Sequence, residues 1–265
     1  MKTERDILVI DDEEVIVRAV SRICAAEGLT VDAAGSGAAA LVLLDARAYR
    51  LVVCDIMMTG VDGFAFLAEA ARRGLETPVV MTTGYATLEN AVRSLALGAA
   101  DFIAKPFTAD ELLAVVRRAL RGRALQAEAA GAAARGTLTF VPCPPKYFRL
   151  GNVSWVKEDR EGTALIGLSD LFLKTIDGVE ALELSPLNDE LAQGQPCAVV
   201  SSAAGDRHAV AAPVGGRIVE VNASARANPA AVEKDPYFGG WLYRVVPADL
   251  PSDLKSLVSC SSDRL

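Results

Sequence analysis

Between residues 6 and 122, five short apolar runs alternate with five segments of helical periodicity, and that alternation leaves few folds open. Strand-like runs fall near 6–10, 30–34, 51–55, 78–82 and 101–104, with helices near 13–27, 37–48, 63–73, 87–97 and 108–121. Runs such as Ile7-Leu8-Val9-Ile10 and Leu51-Val52-Val53-Cys54 are apolar throughout, as strands covered on both faces must be. The expectation is an α/β fold, a doubly wound five-stranded parallel sheet with its site at the carboxyl ends of the strands. Three runs meet charge at that end. Asp11-Asp12 follows the first, Asp55 closes the third, and Lys105 follows Phe102-Ile103-Ala104. Carboxylates gathered there repel one another unless a divalent cation sits between them. Such an edge suits phosphoryl chemistry on an aspartate. Asp55 by itself reads first as a turn former or helix cap; its occurrence together with Asp11, Asp12, Thr83 and Lys105 is what singles it out.

At 265 residues the chain is long enough for two ordinary cores, and 51% apolar content excludes general disorder. A net charge of −7 argues against nucleic acid or an anionic membrane as partner. No stretch approaches the ~18 uninterrupted apolar residues of a membrane span. Five cysteines (24, 54, 143, 197, 260) lie scattered and without metal-ligand spacing. The expectation is a reduced, cytoplasmic chain.

Asp11-Asp12, the run Asp55-Ile56-Met57-Met58-Thr59-Gly60-Val61-Asp62-Gly63, Thr82-Thr83-Gly84 and Lys105-Pro106-Phe107 together resemble the receiver domain of two-component response regulators, a flavodoxin-like fold. The resemblance implies that Asp55 is the phosphoacceptor, taking its phosphoryl group from a phosphohistidine on a sensor histidine kinase. It implies Mg²⁺ held by Asp11, Asp12, Asp55 and the Met57 backbone carbonyl. Lys105 would pair with Asp55 and then with the phosphoryl oxygens, Thr83 would donate its hydroxyl to the phosphoryl group, and Phe102 would act with Thr83 as the aromatic switch. Thr59 stands where the family commonly has proline, which is expected to loosen that turn. Met57 and Tyr85 flank the acceptor at positions that tune hydrolysis in the family, and their bulk is expected to slow self-dephosphorylation.

Residues 123–138 are Ala- and Arg-rich and read as a helical linker weakened at Gly131 and Gly136. From 139 to 250 short alternating runs punctuated by Gly, Pro, Asn and Asp predict a mainly β domain. Residues 251–265 read as a polar, frayed tail. Trp155-Val156-Lys157, Ile166-Gly167-Leu168-Ser169-Asp170, Gly194-Gln195-Pro196-Cys197 and Asp235-Pro236-Tyr237-Phe238-Gly239-Gly240-Trp241-Leu242 resemble the H protein of the glycine cleavage system, a relative of lipoyl and biotinyl carriers. The resemblance implies a barrel-sandwich hybrid whose hairpin tip carries a lipoyl-lysine. Here Gly205 falls at the lysine position, and no lysine occurs between Lys174 and Lys234. Arginine offers no amine nucleophile for acylation, so no lipoate is expected. His208, the chain's one histidine, is expected on the exposed tip beside Asp206 and Arg207.

The expected whole is a receiver at 1–122, a linker at 123–138, an H-protein-like domain at 139–250 and a tail at 251–265. Its function would be that of a response regulator rather than an enzyme, driving a non-DNA-binding output through an unidentified downstream protein or a phosphorylation-dependent homodimer. The alternatives are an accessory or carrier protein of lipoate or one-carbon metabolism, and a ligand-sensing module coupled to the receiver.

Overall fold

In the computed structural model, which describes residues 4–133 and 138–260, the first strand–helix series is β1 (Glu4–Ile10), α1 (Glu14–Ala26), β2 (Val31–Ala34), α2 (Gly37–Ala46), β3 (Ala48–Asp55), α3 (Gly63–Arg72), β4 (Val79–Thr83), α4 (Leu88–Ala96), β5 (Asp101–Ala104) and α5 (Ala109–Ala133). The strands form one parallel sheet in the order β2-β1-β3-β4-β5, a doubly wound order. Period-two alternation divides each apolar run between the two faces. Leu8, Ile10, Val52, Cys54 and Met81 pack with Ala40, Leu44, Phe66 and Leu67 from α2 and α3. Ile7, Val9, Leu51, Val53 and Val80 pack with Val20 and Cys24 of α1 and Leu112 and Val116 of α5. Ser36 and Asp62 cap α2 and α3, accepting from the backbone N–H of Ala39 and Ala65.

The chain divides into two compact units, Met1–Thr87 with Leu97–Arg123, and Leu88–Ala96 with Ala124–Leu265. The division falls within α5, at the start of the stretch expected as a helical linker at 123–138. Helix α5 runs on to Ala133, through Gly131, and the rest of that stretch with Gly136 lies outside the described residues. An Ala-rich sequence propagates a helix already nucleated, and one glycine costs only about 1 kcal/mol.

The second unit continues with β6 (Phe148–Leu150), β7 (Ser154–Glu158), β8 (Ala164–Leu168), α6 (Asp170–Thr175), β9 (Val179–Leu184), β10 (Glu190–Leu191), β11 (Pro196–Ser202), β12 (Arg207–Ala211), β13 (Gly216–Val221), α7 (Ala223–Ala227), α8 (Ala231–Lys234), β14 (Trp241–Pro247), α9 (Leu250–Asp253) and β15 (Val258–Ser259). A seven-stranded sheet, β10-β13-β14-β8-β7-β6-β15, and a three-stranded sheet, β12-β11-β9, enclose one core that includes Val156, Ile166, Val200, Val210 and Tyr243. The Tyr243 hydroxyl crosses from one sheet to the other, donating to Cys197 O (2.6 Å) and accepting from Ser185 N (2.8 Å). This is the antiparallel sandwich architecture the alternating runs predict.

Two expectations need correction. The tail is ordered through Cys260: β15 pairs with β6, Gln193 Nε2 donates to Asp253 O (3.0 Å), and Gly215 N donates to Asp253 Oδ2 (2.8 Å). Leu250, Leu254 and Leu257 anchor it on the core; residues 261–265 lie outside the described residues. His208 is not on an exposed tip. The turn spans only 203–206, so His208 enters β12, where alternation buries it with Val210, edge-on to Phe172 at 6.2 Å between ring centroids.

Gly167 marks one tight contact in this unit. A Cβ there would lie 2.3 Å from Cζ2 of the fully buried Trp155, whose indole N–H donates to Leu168 O (2.8 Å). Overpacking of a rigid ring beside a strand costs about 3 kcal/mol. Gly167→Ala is expected to lower the denaturant midpoint accordingly, whereas Gly205→Ala, with nothing within 4 Å of its Cβ position, is expected to cost only the strain of its positive φ (+86°).

Candidate functional site

Parallel pairing aligns the ends of β1, β3, β4 and β5, with Ile10 opposite Cys54, Asp55 opposite Thr82, and Thr83 opposite Ala104. Asp11, Asp55, Thr83 and Lys105 therefore converge on one edge although far apart in sequence. The Lys105 ammonium stands between two buried carboxylates, 2.7 Å from Asp11 Oδ2 and 2.8 Å from Asp55 Oδ1, with Glu13 Oε1 at 3.6 Å. Burial works against the lysine's charge, but the two carboxylates of Asp11 and Asp55 beside it outweigh that and hold its pKa above the ordinary value. Burial pushes the Asp55 carboxyl up, only partly offset by Lys105.

The contact with Asp55 is close but lies off the angle a hydrogen bond requires. Among the described residues Asp55 Oδ1 is a buried oxygen with no hydrogen-bond partner. Carboxylate oxygens of Asp11, Asp12 and Asp55 lie within 4.8 Å of one another. A hard-oxygen donor set with one orphaned carboxylate oxygen fits a divalent cation such as Mg²⁺, which needs few protein ligands. Asp11 is fixed by accepting from Glu13 N (2.9 Å).

Thr83 is fully buried; its Oγ1 accepts from Tyr85 N (3.1 Å), and its carbonyl accepts from Lys105 N (2.7 Å). Phe102 packs partly buried against the α2–α3 face of the sheet. Met57 and Tyr85 are exposed, at 57% and 71%. Gly205 sits in the exposed 203–206 turn between β11 and β12.

Two contributors were not read from the sequence. Thr59 donates both its backbone N–H (3.0 Å) and its hydroxyl (2.9 Å) to Asp12 Oδ2, and these two bonds hold the Asp12 carboxyl below its ordinary pKa. Proline could supply neither. The turn expected to be loosened is thus tied to the acidic cluster. Gly63 lets α3 start against the site: a Cβ there would lie 2.2 Å from Asp55 O. Its signal was present in Asp62-Gly63 as a cap followed by a close approach.

Residues 7–117 match the family described as response regulator receiver domain, and residues 146–263 match glycine cleavage H-protein. Regulatory protein AtoC of Escherichia coli is 38% identical over 122 residues, 46% of this chain and 26% of that protein. Transcriptional regulatory protein TcrA of Mycobacterium tuberculosis is 38% identical over 111 residues, 42% of this chain and 44% of that protein. The chain thus spans about a quarter to a half of these curated relatives. The receiver domain of NtrX from Brucella abortus is 44% identical, with a TM-score of 0.42, covering 43% of this chain and 98% of that one. The glycine cleavage system H protein from Mycobacterium marinum is 25% identical, with a TM-score of 0.40, covering 44% of this chain and 93% of that one.

Removing Lys105 leaves two buried carboxylates facing one another. Lys105→Ala is expected to destabilise the first unit by about 3 kcal/mol, with part of the loss recovered on adding Mg²⁺. Asp55→Asn should behave oppositely. Because the folded Asp55 carboxyl titrates above 3.8, wild type loses stability relative to the variant as pH rises from 3.8 through the folded value, and the two agree below it. Unfolding titrations at several pH values check both.

Proposed function

Because the chain joins a response regulator receiver domain (7–117) to a glycine cleavage H-protein domain (146–263), we propose that it works as a two-component response regulator phosphorylated on Asp55. The observation that carries the reading is the buried Lys105 ammonium between Asp11 and Asp55, its ion pair to Asp55 Oδ1 being that oxygen's contact in place of a hydrogen bond. An Asp55 oxygen attacks the phosphorus of a phosphohistidine on a sensor histidine kinase. A P–O bond forms, the P–N bond breaks, and its electron pair returns to the imidazole. Lys105 keeps Asp55 oriented before transfer and moves to the phosphoryl oxygens afterwards. Asp11, Asp12, Asp55 and the Met57 carbonyl would hold Mg²⁺, which supplies neutralisation of the transferring phosphoryl charge. The rest is positioning by a preformed edge.

Phosphorylation places up to two further negative charges beside Thr83. The Thr83 hydroxyl then exchanges its bond with Tyr85 N for one to the phosphoryl group, and Phe102 follows. Thr83 and Phe102 are the switch in this reading. In this reading Met57 and Tyr85 flank the acceptor and hinder attacking water, so the phosphoryl group is long-lived and the protein acts as an acceptor rather than a catalyst.

The second domain is read as a lipoate-free protein-interaction module. Gly205 occupies the exposed hairpin turn where a carrier would present its lysine, which leaves the sandwich and its tip without an acyl arm. The output is then a change in affinity for a downstream protein or for a second copy of the chain, on the ~1–3 kcal/mol scale of such couplings. No nucleic acid or membrane enters this reading. Among the described residues no helix is long and apolar enough to cross a membrane.

Incubation with a small-molecule phosphodonor and Mg²⁺ is expected to give one hydroxylamine-labile phosphoryl group per chain, absent from Asp55→Asn. Label retained in that variant would remove the assignment. In the wild type, replacing Met57 and Tyr85 with small polar residues is expected to shorten the phosphoryl lifetime roughly tenfold, about 1.4 kcal/mol of barrier. Affinity capture with the full chain, with and without beryllofluoride, is expected to show a partner gained or lost on activation.

A further inference from the structure

Thr59, exposed in the loop between β3 and α3, donates its backbone N–H (3.0 Å) and its hydroxyl (2.9 Å) to one and the same oxygen, Asp12 Oδ2. Asp12 lies just beyond β1 and Thr59 just beyond β3, so the paired bonds tie the two loops together. The same loop carries Met57, two residues before Thr59.

The three carboxylates of the cluster are held in different ways. Asp11 is buried and accepts from Glu13 N (2.9 Å) and Lys105 Nζ (2.7 Å). Asp55 is buried with its Oδ1 at 2.8 Å from the same ammonium. Asp12 is exposed, so packing does not choose its rotamer, and the two Thr59 donors hold it instead. A carboxylate oxygen offers a pair of acceptor sites, and Thr59 fills both at Oδ2. The capacity left for a cation is then at Oδ1, which makes Asp12 a one-oxygen ligand.

That distinction separates two cations of equal charge. Mg²⁺ demands near-octahedral geometry at short distances and keeps several waters, so single oxygens suit it. Ca²⁺ is larger, takes more oxygens and accepts carboxylates through both at once. A carboxylate free to turn both oxygens inward serves the larger ion, and one pinned through Oδ2 serves the smaller. We propose that Thr59 is a positioning and specificity-determining residue: it fixes Asp12 as a one-oxygen ligand and thereby selects Mg²⁺ over Ca²⁺ at this edge. This role rests on the reading of Asp11, Asp12 and Asp55 as the cation site. Thr59 is exposed, so its hydroxyl contributes little to the fold and its replacement leaves the metal-free protein folded.

The test is calorimetric titration of the full chain with Mg²⁺ and, separately, with Ca²⁺, with thermal unfolding of each metal-free protein as the check on folding. Wild type is expected to bind Mg²⁺ more tightly than Ca²⁺. Thr59→Val and Thr59→Ala keep the N–H but free one site on Oδ2. Each is expected to shift the ratio of the two dissociation constants toward Ca²⁺ by about tenfold, the low end for losing a partner of a metal-ligating carboxylate. Thr59→Ser keeps a hydroxyl and is expected to keep the wild-type ratio. Having both hydroxyl-free variants keeps the result readable if one fails to fold. A wild type without preference for Mg²⁺, an unchanged ratio in a folded hydroxyl-free variant, or a ratio in Thr59→Ser as altered as in Thr59→Val overturns the role of Thr59. Asp12→Ala separates that failure from failure of the reading beneath it. Undiminished Mg²⁺ affinity in Asp12→Ala, or no saturable Mg²⁺ binding by wild type, removes the cation site and the proposal with it.

Discussion

A single ammonium held between two buried carboxylates is the constraint on which the first domain depends. Lys105 meets Asp11 and Asp55 at 2.7 and 2.8 Å, and the three residues arrive from the ends of different strands. Burying two like charges side by side is costly unless a cation stands between them. The parallel register that lines up β1, β3, β4 and β5 is therefore both cause and consequence of the site. The doubly wound order places the strand ends together, and the lysine makes the resulting charge density tolerable. Asp55 keeps one buried oxygen outside any hydrogen bond, which is the capacity that a cation and a phosphoryl group would use.

Much of this was legible in the sequence because strands buried on both faces leave uninterrupted apolar runs. All five strands and five helices of the first series fall where those runs and their periodicities place them. The exceptions have tertiary causes. Strand β3 begins at Ala48 instead of 51, because Tyr49 is buried with its hydroxyl on Asp32 Oδ2 (2.8 Å), a contact no local pattern announces. Helix α4 groups with the second unit, which its own sequence does not foretell. Thr59 was read as a missing proline, whereas its meaning lies in two hydrogen bonds to a residue 47 positions away.

In the second domain the misreadings were of a different kind, since loops and polar segments carry weak signals. A hairpin turn of four residues instead of a longer loop moves His208 from solvent into the core. The Leu250, Leu254 and Leu257 spacing that anchors the C-terminal segment was outweighed by its serines and aspartates. The core itself was legible: two sheets closed by the Tyr243 hydroxyl, with Trp155 against Gly167. The hairpin turn that carries Gly205 stands apart from this packing, with nothing within 4 Å of its Cβ position.

The most direct test of the central claim is a stepwise calorimetric titration of the full chain, first with Mg²⁺ and then with beryllofluoride. The account predicts that wild type binds Mg²⁺ once and then binds beryllofluoride only when Mg²⁺ is present, and that Asp55→Asn loses the second step while remaining folded. Equal beryllofluoride binding by the variant, or binding by wild type without Mg²⁺, would contradict it.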